Sequence, residues 1–137
     1  MNSQELISIS LKARENAYVP YSNFKVGAAL LAKNGEVYTG ANIESASYTP
    51  TCCAERTAFV KAVSEGVKEF DAIAVTGGFD DAQRELCYPC GVCRQVMAEF
   101  CDTKTFKIIV AKDENQYKEH TLEEILPFSF GPKDLNK

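Results

Sequence analysis

The residues most able to do chemistry form two cysteine pairs: Cys52-Cys53 just ahead of Glu55 and Arg56 in TCCAERTAF, and Cys90 with Cys93 in PCGVCRQV. Thiolates ligate metal ions, a carboxylate beside such an ion can move protons, and a guanidinium can offset the charge that several thiolates accumulate. Cysteines three apart on a helix share a face, so Cys90 and Cys93 can hold one ion between them, with Zn²⁺ the usual partner of cytosolic thiolates. In mid-helix Cys53 and Glu55 would point to nearly opposite sides. In a first helical turn side chains lean toward the N-terminus, so both can reach an ion beyond the helix end, where free amides also favour a thiolate.

The ligand count separates two kinds of site. A closed structural zinc takes four protein ligands, whereas a catalytic one takes three and leaves a position for water. His120, the single histidine, lies far in sequence from both pairs, so the simplest set is Cys53, Cys90 and Cys93, with Glu55 as the acid-base group. Three thiolates leave the centre over-negative, and Arg56 and Gln95 are the side chains expected to donate toward the sulfurs. Two rival readings stand beside this one. Cys52 as a fourth ligand would make the site structural, and Cys90-Gly-Val-Cys93 after Pro89 also suits a dithiol exchange motif. Cys52, Cys87 and Cys101 are otherwise expected to be packing thiols.

The chain has 137 residues, 45% of them hydrophobic and 25% charged, which fits one soluble domain over residues 1–137. No apolar run approaches a membrane span, and the start MNSQELISISLK lacks signal-peptide character, so a cytoplasmic protein with free thiols is expected. A net charge of −4 without a basic cluster argues against nucleic acid and for a small-molecule ligand.

The elements that position the cysteines follow from periodicity. A helix is predicted from about Gln4 to Ala17, capped by Ser3 and facing inward through Leu6, Ile9, Ala13 and Ala17. FKVGAALLAKNGEVYTGANIE reads as a hairpin turning at Asn34-Gly35. A helix over Cys52–Ser64 is expected to end near Gly66, and DAIAVTG follows as a buried strand. CGVCRQVMAEFC is a helix with Pro89 suited to its first turn and Val96, Met97 and Phe100 inward; FKIIVA is a strand, and TLEEIL a short helix capped by Thr121. This order implies a mixed sheet with helices on both faces, and right-handed crossovers between parallel neighbours.

YSNFKVGAAL, GANIESASY, CAERTA, PCGVCRQV and LPFSFGP, in this order, make the sequence resemble the small zinc-dependent cytidine deaminases of pyrimidine salvage. The resemblance spans nearly the whole chain. It implies a three-layer αβα sandwich around a five-stranded mixed sheet, one Zn²⁺ per subunit on Cys53, Cys90 and Cys93, and Glu55 as proton shuttle. It further implies that Phe24, Asn42 and Glu44 bind the nucleoside, that main-chain atoms at Ala54 read the base, and that Tyr48 and Phe130 reach a neighbouring subunit's site in a homotetramer. The implied reaction converts cytidine or 2′-deoxycytidine to the uridine and ammonia, with Glu55 protonating N3 and then the leaving amine. A modified cytosine nucleoside, of the blasticidin S type, is the alternative substrate. The loop DDAQRELCYP is longer than the family leads one to expect, and no role is assigned to it.

Overall fold

A computed structural model describes residues 1–79 and 84–137; four residues of the long loop, 80–83, lie outside the description. The elements run α1 (Ser3–Arg14), β1 (Lys25–Ala32), β2 (Val37–Ala41), α2 (Ala54–Ser64), β3 (Phe70–Gly78), β4 (Arg84–Glu85), α3 (Gly91–Phe100), β5 (Lys107–Asp113), β6 (Gln116–Thr121) and α4 (Leu122–Ile125), with a 3₁₀ turn at Pro132–Leu135. Among the described residues, no helix is long and apolar enough to cross a membrane.

Alternation along the strands decides the layers. Val26, Ala28 and Leu30 of β1, Ile73 and Val75 of β3, and Ile108 and Val110 of β5 point to one face. There they pack with Ala58, Phe59 and Ala62 of α2, Met97 of α3 and Leu122 of α4. The intervening Ala29, Ala72, Ala74, Ile109 and Ala111 meet Leu6 and Ile7 of α1 on the other face. The result is the three-layer αβα sandwich.

The sheet order is β2-β1-β3-β5-β6. These five strands form the expected mixed sheet, and β4 adds a two-residue sixth by pairing with the end of β3. Among the described residues, β3 and β5 are the only parallel neighbours in this sheet; β1 lies antiparallel between β2 and β3. Parallel adjacency is therefore confined to the β3–α3–β5 crossover.

Several boundaries differ from the sequence reading. Asn2, not Ser3, caps α1, because its side chain accepts from the Glu5 amide while Glu5 reaches back, and the helix closes at Arg14 rather than Ala17. The hairpin turn places only Gly35 at positive φ (91°), with its N–H donating to the Ala32 carbonyl, 3.0 Å, so Asn34 needs no left-handed backbone. Pro89 precedes the cap Cys90 and so stands outside α3. The polar stretch before Thr121 is a strand, β6, on the sheet edge.

Gly40 on β2 sets how closely α2 approaches the sheet. A Cβ there would lie 2.2 Å from the Ala54 carbonyl oxygen and 2.7 Å from the Ala58 nitrogen. Both atoms are backbone of the first turns of α2, so the helix would have to lift. Gly40→Ala is expected to cost about 2–3 kcal/mol by overpacking and to weaken metal retention by displacing the start of α2. Thermal unfolding of the protein with and without a chelator measures both; an unchanged melting temperature would refute this reading of the contact.

Candidate metal and active site

Cys53 and Cys90 hold the same position on their helices. Each is the N-cap, in extended backbone (φ −69°, ψ 154° and φ −69°, ψ 169°), and neither thiol is drawn into capping its own helix amides. Cys93 lies one turn into α3 and is buried. Because α2 and α3 pack on the same face of the sheet, their starts converge. The Sγ atoms of Cys53 and Cys90 are 3.8 Å apart, those of Cys90 and Cys93 3.6 Å, and all three lie within 4.8 Å of one another.

Arms of about 2.3 Å in a tetrahedral site place sulfurs about 3.8 Å apart, a spacing that the Cys53–Cys90 and Cys90–Cys93 pairs already have, so the trio fits Zn²⁺. Among the described residues it is the one group of three or more ligating side chains with that spacing. Cys52 stands apart, accepting from the Thr57 hydroxyl at 3.4 Å.

Electrostatics differ sharply across the trio in the metal-free protein. The hydrogen bond from Cys93, helped by Arg56 and Cys90, holds Cys53 down at about 5 against the opposing effect of burial. Cys93, as the donor to that thiolate, is pushed well above the ordinary thiol range. Arg56 Nη2 lies 3.9 Å from Cys53 Sγ and donates to the Thr51 carbonyl at 3.1 Å, while its buried Nε has no hydrogen-bond partner among the described residues. Gln95, expected beside the sulfurs, instead donates to the carbonyl of Phe130 at 2.8 Å. Arg94 joins Pro89 to α4, donating to the carbonyls of Pro89 (2.7 Å) and Ile125 (2.6 Å), and so fixes the approach to Cys90.

Glu55 is 4% exposed, in the first turn of α2. Burial, reinforced by the charge of Cys53, raises its carboxyl to about 7. Such a group changes protonation near neutral pH, as a proton carrier must. Ala54, also buried, opens α2, so its amide has no acceptor within the helix.

The remaining candidates occupy the loops after α1 and β2. Asn42 replaces a rung of the β-ladder: its Oδ1 accepts from the Val26 amide (2.9 Å) and its Nδ2 donates to the Phe24 carbonyl (2.8 Å). The Phe24 ring meets Phe79 edge-on at 5.0 Å. Glu44 accepts from the amides of Tyr21 and Ser22, and with Tyr48 and Thr51 lines a cleft of about 500 Å³. Tyr48 and Phe130 project into solvent, 75% and 59% exposed. Cys87, expected to be a packing thiol, lies against Gly77 beside the Phe24 ring and is raised to about 11 by burial and then by the charge of Glu55. No spacing signal marks it.

Helices starting at cysteine caps, with three convergent sulfurs and a buried acid, define a zinc-dependent deaminase-type centre. A family profile described as the cytidine and deoxycytidylate deaminase zinc-binding region matches residues 1–110. The chain is 52% identical to a cytidine deaminase of Halalkalibacterium halodurans, covering 99% of each, and 48% identical to one of Sporosarcina psychrophila, covering 99% of this chain and 96% of the relative. A crystal structure of cytidine deaminase from Burkholderia pseudomallei superposes with a TM-score of 0.86 at 42% identity, covering 95% of this chain and all of the other. The chain belongs to the cytidine and deoxycytidylate deaminase zinc-binding family.

Two measurements test this geometry. Cys53→Ser should lose bound zinc by elemental analysis while Cys52→Ser retains one equivalent; the opposite pattern would exchange their roles. The second concerns Glu55 in metal-free protein. Its folded pKa of about 7 exceeds its ordinary 4.5, so the stability it contributes is intact at acid pH and lost as pH rises through that window. Glu55→Gln should therefore raise metal-free stability at pH 8 by up to about 3 kcal/mol and converge with wild type near pH 4. Equal melting temperatures at pH 8 would contradict the burial argument.

Proposed function

We propose that the protein hydrolyses cytidine and 2′-deoxycytidine to the corresponding uridines and ammonia, with one Zn²⁺ per subunit held by Cys53, Cys90 and Cys93. The observation that carries this reading is Glu55, a carboxyl buried in the first turn of α2 beside three sulfurs spaced for one ion. A structural zinc needs no such acid, and a dithiol exchange motif leaves Cys53 and Glu55 without a task.

When bound, zinc supplies a Lewis acid that makes water nucleophilic near neutral pH. Glu55 accepts the proton that water releases and passes it to N3 of the cytosine as the water oxygen bonds to C4; it then takes the proton of that C4 hydroxyl and gives it to the amine as the C4–N bond breaks, leaving the C4 carbonyl and ammonia. The Ala54 amide, free at the start of α2, is the main-chain donor toward the base edge. Phe24 faces the base, and Asn42 and Glu44 hold the sugar. Arg56, charged and beside Cys53, tempers the negative charge of three thiolates.

The exposure of Tyr48 and Phe130, together with Phe128, supports a homotetramer in which these aromatics reach neighbouring active sites. The relatives named above favour an ordinary cytosine nucleoside over a modified one. A net charge of −4 fits a neutral nucleoside better than nucleic acid, and free cysteines suit a cytoplasmic enzyme without membrane association.

Zinc-loaded protein should convert cytidine to uridine, followed as a loss of ultraviolet absorbance. Glu55→Ala should keep its zinc and lose about 10²-fold or more in turnover. No absorbance change with zinc-loaded wild type would refute the assignment.

A further inference from the structure

The short segment between Pro20 and Lys25 has one side chain that touches both ends of the proposed nucleoside site. Ser22 Oγ donates to Glu44 Oε2 at 2.5 Å and accepts from the Phe24 amide at 3.0 Å. The other Glu44 oxygen, Oε1, accepts from the amides of Tyr21 and Ser22, each at 3.1 Å. An ionised carboxylate offers about four acceptor positions, so three are filled by this segment and one is left for a donor arriving from the cleft. Asn23, at φ 60°, turns the chain between Ser22 and Phe24, which lets the hydroxyl bond back to an amide two residues on. Asn42 then fixes the Phe24 carbonyl from the neighbouring strand.

We propose that Ser22 is a positioning residue for nucleoside binding: its hydroxyl locks Glu44 at the sugar end of the site to the Phe24 backbone at the base end, fixing the distance between them. This rests on the cytidine reading given above. The carboxylate cannot rotate without breaking the bond to Ser22, so its one open acceptor position keeps a constant direction toward a substrate hydroxyl. A sugar hydroxyl supplies the single O–H donor that this open position can take, whereas an anionic group there would be repelled. Ser22 itself touches no reacting atom. Its influence belongs in ground-state binding, so it should appear in KM more than in kcat.

The test compares zinc-loaded wild type, Ser22→Ala and Ser22→Thr on cytidine and on 2′,3′-dideoxycytidine, which lacks the hydroxyls that Glu44 would hold. Ser22→Ala should raise KM for cytidine about tenfold with kcat within about twofold, since a charge-assisted hydrogen bond is removed. On dideoxycytidine the same change should raise KM about threefold or less. Ser22→Thr, which keeps the hydroxyl, should restore cytidine KM to within about twofold of wild type. In a Glu44→Gln background Ser22→Ala should add about twofold or less, because coupled residues are non-additive. Zinc content and melting temperature, measured on every variant, separate this from misfolding. An unchanged KM for cytidine, equal KM penalties on both substrates, or a full penalty in the Glu44→Gln background would overturn the proposal. A wild type inert toward cytidine is a different failure, of the deaminase reading itself.

Discussion

Three sulfurs within 4.8 Å of one another cannot all be thiolates in a metal-free protein, because like charges so close in a partly buried site repel strongly. The fold answers with asymmetry. The Cys53 thiol is held low and the Cys93 thiol pushed up by their mutual interaction, and Arg56 and two helix N-termini supply positive potential. The rest of the architecture serves this arrangement. Helices α2 and α3 must start at the same place, so they pack side by side on one sheet face, and Gly40 lets the first turn of α2 come down against β2.

Burying Glu55 against the same centre adds a second tension. A carboxyl with 4% exposure is costly when ionised, and among the described residues no cation is recorded against it as Arg56 is against Cys53. An amide at the same position should leave the metal-free fold more stable near neutral pH. The proton-carrying role proposed for Glu55 and the stability of the fold therefore make opposite demands on this one side chain.

Much of this was legible in the sequence because it depends on spacing. Two cysteines three apart behind a proline, and a cysteine two residues before a glutamate, survive any reasonable error in helix boundaries. The strands β3 and β5 were equally plain as short, nearly all-apolar runs, since strands buried on both faces lack a polar side. β6 was not legible: as an edge strand hydrogen-bonded only to β5, Gln116–Thr121 faces water over much of its length and carries no apolar pattern. The expected role of Gln95 failed for a different reason. Helix periodicity places it on α3, but the C-terminal segment passes nearby and the Phe130 carbonyl takes its donor. Nor does any periodic rule single out the hydroxyl of Ser22 or the thiol of Cys87, whose neighbours come from distant strands and loops.

The ligands Cys53 and Cys90 sit 37 residues apart in sequence, on two different helices. An ion held between them is also a cross-link, enclosing α2 and the whole of the central strand β3 in a covalent-like ring. Closing a loop of that size removes chain entropy from the unfolded state equivalent to about 4 kcal/mol. A bound metal would thus double as a staple for the middle third of the molecule, so that the folded protein gains stability from the ion as well as chemistry.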